Sequence, residues 1–125
     1  QRFIIITSSS SGVKDHFLNL IFNDVLIWKA RGEEYLVNSG LEYVIICPSV
    51  INDNSGGEKS ISIIPRTTFK NGMEITRKDL ATVVVTSAGY QSAKNKVFTV
   101  INQESKYSNS WVYKINEMPE ELNLP

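Results

Sequence analysis

The apolar positions of this chain fall into short unbroken runs separated by polar, glycine-containing stretches. Phe3-Ile4-Ile5-Ile6 shows no alternation and is rich in β-branched residues, a pattern that predicts a strand covered on both faces, as in parallel sheets. Thr7 to Gly12, a threonine, four serines and a glycine, ends it. From Val13 to Phe22, Phe17, Leu20 and Ile21 have helical spacing and predict a loosely packed turn or two. The next helix should begin near Asn23 or Asp24, either of which can accept a hydrogen bond from the free amides of the first turn. In it Val25, Trp28, Gly32, Tyr35 and Leu36 lie on roughly one side and are the expected buried stripe. Gly32 costs ~1 kcal/mol against alanine inside a helix, so a close backbone approach is expected there. Gly40 is suited to end the helix in a left-handed conformation. Tyr43 to Cys47 then reads as a second covered strand, stopped by Pro48, which has no amide proton. A strand, a helix and a strand in this order predict a right-handed parallel unit.

Farther on, Asn52 to Gly57 forms a polar loop, and Lys59 to Pro65 suits a short outlying strand. Asn71-Gly72 signals a turn. Thr76, with Asp79 three residues on, has the form of a capping box and opens a helix to about Ala88. Val97 to Ile101 is a third strand. Trp111, Val112, Ile115 and Met118 make an amphipathic turn or two ended by Pro119.

At 125 residues the chain has single-domain size, and 13 basic against 13 acidic residues leave no formal net charge. Bulk electrostatics therefore give no support to a nucleic-acid or anionic-membrane partner. A single cysteine, Cys47, excludes an internal disulfide and suggests a reducing, cytoplasmic setting. The apolar runs are far shorter than the ~18 residues of a membrane helix. The chain opens at Gln1, almost directly in a strand, which suggests a trimmed or longer polypeptide.

Candidate chemistry centres on Lys29, on a helix beside a strand whose carboxyl end opens onto the loop at Pro48. That arrangement suits a nucleotide-handling α/β crevice. The serines from Ser8 to Ser11 read either as a polar exit from the strand or as reactive hydroxyls. Cys47 reads as a small buried apolar residue. His16 reads as incidental, Glu33 and Glu34 as a solvated helix face, and Arg77 and Asp79 as helix-start charges. No metal-ligand cluster is visible.

The strings VLIWKARGEEYLVNSGLEYVIICPSVI, ITRKDLATVVVTSA and AKNKVFTVIN together resemble the carboxyl-terminal half of an atypical short-chain dehydrogenase/reductase, of the NAD(P)-binding, NmrA-like or flavin-reductase-like group. The resemblance spans residues 2 to 103 and implies an α/β, Rossmann-like parallel sheet of which this chain supplies the C-terminal strands and helices. Residues 104–125 would form a tail with a short amphipathic helix. It further implies an oxidoreductase using NADP or NAD on a small-molecule acceptor. Ser8 or Ser9 would lie beside the nicotinamide as catalytic residues together with Lys29, which would reach the ribose hydroxyls. Thr7, Cys47, Pro48, Ser49 and Val50 would complete the cofactor contacts.

Two departures qualify that picture. The tyrosine that ordinary members carry four residues before the lysine is Val25 here, so the usual proton donor is missing. Tyr35, six residues after Lys29, is on the wrong side of the helix to replace it. A non-catalytic dinucleotide-binding module, redox-sensing or interacting, is therefore the alternative. In addition, no glycine-rich pyrophosphate fingerprint occurs. The first strand should then lack a partner on one side and associate with the missing N-terminal half or with another copy.

Overall fold

The computed structural model describes residues 1–125 as a mixed α/β fold. Its strands are β1 (Arg2–Ile6), β2 (Glu42–Ile46), β3 (Val50–Asn52), β4 (Lys59–Ile64), β5 (Glu74–Thr76) and β6 (Lys96–Lys106). Its helices are α1 (Phe17–Ile21), α2 (Val25–Asn38) and α3 (Arg77–Gly89), and a 3₁₀ segment covers Asn109–Glu117. The main sheet has the order β1-β2-β6-β4, and β3 with β5 forms a separate small parallel pair. β1 and β6 both run parallel to the central β2, with Ile6 opposite Ile46 and Ile46 opposite Phe98. β4 is antiparallel to β6, so the expected outlying strand is in fact an edge of the main sheet.

The lack of alternation in β2 has a direct cause. Val44 and Ile46 point into one apolar cluster with Ile75, Leu80, Val83, Phe98 and Val100. Tyr43, Ile45 and Cys47 point into another with Leu36 and Val97. Both faces are dry, so neither set of positions can be polar. Trp111, Ile115 and Met118 from the 3₁₀ segment belong to the larger cluster. The tail is thus a wall of the core.

Three local expectations are corrected. On α2 the buried side chains are Leu26, Ala30, Glu33 and Leu36, while Trp28 and Tyr35 are 61% and 80% exposed. The sheet takes the narrow aliphatic stripe; the aromatic residues face outward, where Arg31 lies 4.8 Å from the centre of the Trp28 ring. A Cβ at Gly32 would meet nothing within 4 Å, so no close approach explains that glycine. Asp24, at the start of α2, is left-handed and makes no side-chain cap. Asn19 does that work instead: its Oδ1 accepts from Leu26 N at 2.9 Å, and its Nδ2 donates to the carbonyls of Val13 and Lys14. The Thr76 cap forms as expected, with Asp79 N donating to its hydroxyl at 3.0 Å.

β1 pairs with β2 alone, and Phe3 and Ile6 on it are 53% and 46% exposed. Phe17, Leu20, Ile21 and Phe22 of the α1 region are exposed as well. Each large apolar side chain left in water forgoes ~1.5–3 kcal/mol of burial. No helix is long and apolar enough to cross a membrane.

Asn19→Ala should strand the Val13 and Lys14 carbonyls and the Leu26 amide together. The expected loss is about 1–3 kcal/mol, read as a lower urea midpoint with an unchanged m-value; an unchanged midpoint would show that the turn is held by something else.

Candidate functional site

Because β1 and β2 are parallel, their carboxyl ends open together, and the backbone holds the two exits in register. Thr7 N donates to Ile46 O and Ser9 N to Pro48 O, each at 2.9 Å. Beyond Thr7 the chain folds into a serine turn, in which Ser10 N donates to Ser8 Oγ at 3.1 Å and Ser11 Oγ to Ser8 O at 2.9 Å. Ser8 is therefore engaged within the turn. Ser9 Oγ is buried and has no protein partner, so of the two serines it is Ser9 that holds an unspent hydroxyl. Thr7 is also buried.

Lys29 projects from the second turn of α2 towards this exit. It is half-buried, and its Nζ lies 3.5 Å from Thr7 O. Val25, one turn earlier, is half-buried and offers no polar group. Of the second exit, Pro48 is buried and its carbonyl holds Ser9, Ser49 is half-buried, and Val50 is exposed where β3 begins. Cys47 has no group to spare. Its N donates to Phe98 O at 2.8 Å, its carbonyl accepts from Thr99 Oγ1 at 2.9 Å, and its Sγ accepts from Arg66 Nη2 at 2.7 Å.

Arg66 leads to the feature that sequence reasoning missed. Its Nη2 also meets Glu33 Oε1 at 2.6 Å, with the two side chains 5% and 0% exposed, and its Nη1 donates to Leu122 O at 3.0 Å. Glu33 is thus a buried ion-pair carboxylate and not part of a solvated face. Its spacing from Leu26, Ala30 and Leu36 was the available signal, since those positions share its stripe. Nothing near Pro65 announced Arg66. Burial works to lower the guanidinium pKa, but Cys47 and Glu33 outweigh it and hold the value above its ordinary one. Burial pushes the Cys47 thiol up to about 11, against the opposing pull of Arg66. At neutral pH Cys47 is therefore a thiol, and the ion-pair partner of Arg66 is Glu33.

Arg77 pairs with Asp53 in solvent. Asp79 accepts from Gly57 N and Asn102 Nδ2, both at 2.9 Å, and so pins a loop and β6 to the start of α3. A cleft of about 460 Å³ beside the serine turn includes Ser9, Ser10, His16 and Arg66. A larger depression of about 730 Å³ near Asn52, Glu74 and Asn102 touches none of the residues at the strand exits. The strand exits offer an ammonium, an unpaired buried hydroxyl and two aligned loops. That donor set suits the ribose and nicotinamide end of a dinucleotide. The pyrophosphate end has no glycine-rich helix start among these residues.

Arg66→Leu should cost about 3–5 kcal/mol, because Glu33 is left charged and dry, whereas Glu33→Leu combined with Arg66→Leu should recover most of that loss. Equal loss in the single and double variants, by chemical denaturation, would show that the charges are not coupled. The raised Cys47 value has its own signature. The folded state keeps a proton that the unfolded state releases above 9.0, so stability should decline as pH rises from 9.0 towards 11. Cys47→Ala should remove that part of the decline in an alkaline melting series.

The chain is similar to several known proteins. A family model described as NAD(P)H-binding matches residues 1–90. Sanguinarine reductase from Eschscholzia californica is 33% identical over 102 residues, covering 78% of this chain and 37% of that protein. A structure described as a putative NAD-dependent epimerase/dehydratase from Bacillus halodurans superposes with a TM-score of 0.72 at 23% identity, over 94% of this chain and 51% of the other. An anaerobillin reductase from Escherichia coli O157:H7 gives 0.67 at 21% identity, over 86% and 53%. The chain therefore spans little more than a third of that curated relative and about half of these solved structures. With a family model matching residues 1–90 and a mostly parallel sheet, the chain belongs to the NAD(P)H-binding family, a Rossmann-like α/β fold whose cofactor is NAD or NADP.

Proposed function

We propose that this chain forms the nicotinamide side of the site of an NAD(P)H-dependent reductase acting on a small-molecule acceptor. The observation that carries the reading is Lys29 Nζ at Thr7 O, next to the unpaired Ser9 hydroxyl, where two parallel strands end together. Lys29 would donate to the nicotinamide ribose hydroxyls, with Ser8 and Ser9 beside the ring. The Thr7 backbone and the Pro48–Val50 loop would bound the pocket, while Cys47 would act only by fixing that loop. When bound, the cofactor supplies hydride. The protein's own part is to orient it: the ammonium is held by a carbonyl that cannot neutralise it, and the Ser9–Pro48 bond keeps the two loops at one spacing. The reductase names of two of the relatives support the reaction class.

In this reading residues 1–103 are the C-terminal half of a Rossmann-like domain, and residues 104–125 are a tail built into its core. The free edge of β1, with Phe3 and Ile6 exposed beside it, would take a parallel strand from the half that carries the pyrophosphate cradle. Val25 favours a second reading, a dinucleotide-binding module without turnover, since α2 presents no acid one turn before Lys29.

Titration of the full-length gene product with NADPH decides between these. Lys29→Ala should weaken binding about tenfold or more, the loss of a hydrogen bond from a charged donor, and should lower quinone or aldehyde reduction as well. Binding that is unchanged by Lys29→Ala would overturn the assignment. Tight binding with no oxidation of NADPH by any acceptor would select the second reading.

A further inference from the structure

Asn71-Gly72 is the sole asparagine–glycine pair of the chain, in the turn that leads from the 3₁₀ segment Arg66–Thr68 into β5. The letters signal a turn; the fold shows the state of the two groups that could react with each other. Both residues are exposed. Neither the Asn71 carboxamide nor the Gly72 amide hydrogen-bonds within the chain, since the turn closes one residue later, from Met73 N to Lys70 O at 3.4 Å. That is long for a bond whose usual range is about 2.7–3.2 Å. The second tie, Lys70 N to Met73 Sδ at 3.4 Å, uses a weak acceptor. Gly72 has φ +91° and nothing within 4 Å of where a Cβ would stand. Its nitrogen is unblocked, and the glycine backbone is free to swing it towards Asn71 Cγ.

Other asparagines are less free. Asn38 and Asn109 precede Ser39 and Ser110, whose amides are spent on Leu36 O and Ser108 Oγ. The carboxamides of Asn19, Asn95 and Asn102 are engaged with distant backbone or with Asp79. Asn54 precedes Ser55, whose side chain hinders its own nitrogen.

We propose that Asn71 is a site of spontaneous deamidation, and that its isoaspartyl product is a substrate for a repair methyltransferase using a sulfonium methyl donor. The Gly72 nitrogen gives its proton to hydroxide, and its electron pair attacks Asn71 Cγ. The bond from Cγ to the side-chain nitrogen breaks, and that nitrogen leaves as ammonia with a proton from water. Water then opens the cyclic imide. Cleavage between the Gly72 nitrogen and Cγ gives aspartate. Cleavage between that nitrogen and the main-chain carbonyl carbon gives isoaspartate, in which the chain runs through the side chain and is one carbon longer. In repair, the free carboxylate attacks the donor's methyl group, a thioether leaves, and the Gly72 nitrogen displaces methanol to re-form the imide. Thr67, Thr68 and Lys70 are exposed beside it, so a second enzyme can reach the segment. The inference is independent of the reductase reading.

Two changes follow in the fold. A new carboxylate stands on the wall of the cleft that includes Arg66. The lengthened chain leads directly into β5, whose Glu74, Ile75 and Thr76 are paired with Val50, Ile51 and Asn52 of β3. So short a pair should open more readily when its approach is distorted.

The test incubates the full-length gene product at mildly alkaline pH beside the free peptide FKNGMEI, which reproduces residues 69–75. Peptide mapping should place a gain of about 1 Da on Asn71, and conversion should quicken as pH rises. Purified isoaspartyl methyltransferase with labelled S-adenosylmethionine should label the aged protein. Asn71→Gln should lose most of that label, because a six-membered imide closes slowly. Asn71 intact after the free peptide has converted, or full label in Asn71→Gln, would overturn the site; conversion without label would overturn the repair step. Amides of β3 and β5 should exchange about tenfold faster in the isoaspartyl form but not in Asn71→Asp, which has the charge on an ordinary backbone. Equal exchange in the two would overturn the coupling to β5.

Discussion

The Glu33–Arg66 pair is the constraint around which the molecule closes. Each ion loses several kcal/mol of hydration when buried, so the fold is tolerable only if the two meet. Their meeting joins four separate parts of the chain: α2 through Glu33, the turn after β4 through Arg66, the end of β2 through Cys47 Sγ, and the tail through Leu122 O. Lys29 sits one turn before Glu33 on the same helix. The pair therefore sets how far along β1 the helix lies, and with it how far the ammonium reaches over the strand exit. A core interaction almost wholly shielded from solvent thus fixes the position of a group at the strand exit.

A second constraint is the dryness of both faces of β2. It forces strands of unbroken apolar sequence and helices or tail segments on either side, and it directs both exits to one mouth. The same logic leaves the β1 edge and the outward aromatic residues of α1 and α2 unsatisfied within this chain. Burial is generous near Lys29 and Cys47 and sparse around Phe17, Leu20 and Trp28.

Much of this was legible from residue order alone. The parallel sheet followed from the non-alternating runs, the α3 start from Thr76 and Asp79, and the end of α2 from Gly40, because each rests on local chemistry. The family resemblance pointed to Lys29, whose amine the fold holds 3.5 Å from Thr7 O. What could not be read depends on partners distant in sequence. Two stripes of α2 were both apolar enough to be the inner one, and only the sheet decided for Leu26, Ala30 and Leu36. Asn19 is an ordinary loop residue until the chain at Val13 and Lys14 turns back onto it. Glu33 looks like any surface acid until Arg66 arrives from the far side of β4. Ser8 and Ser9 are equivalent as letters, and differ only once the turn has consumed one hydroxyl and left the other.

The membership of Trp111, Ile115 and Met118 in the main apolar cluster has a consequence for how the protein comes into being. Contacts such as Thr99 with Cys47 and Arg66 with Leu122 span 52 and 56 residues, and such non-local closures are slow. During synthesis the sheet has its strands before it has its floor. A ribosome that has released everything through β6 still holds back the segment that seals the interior, and the emerging chain must keep its isoleucines from other nascent chains until that segment arrives.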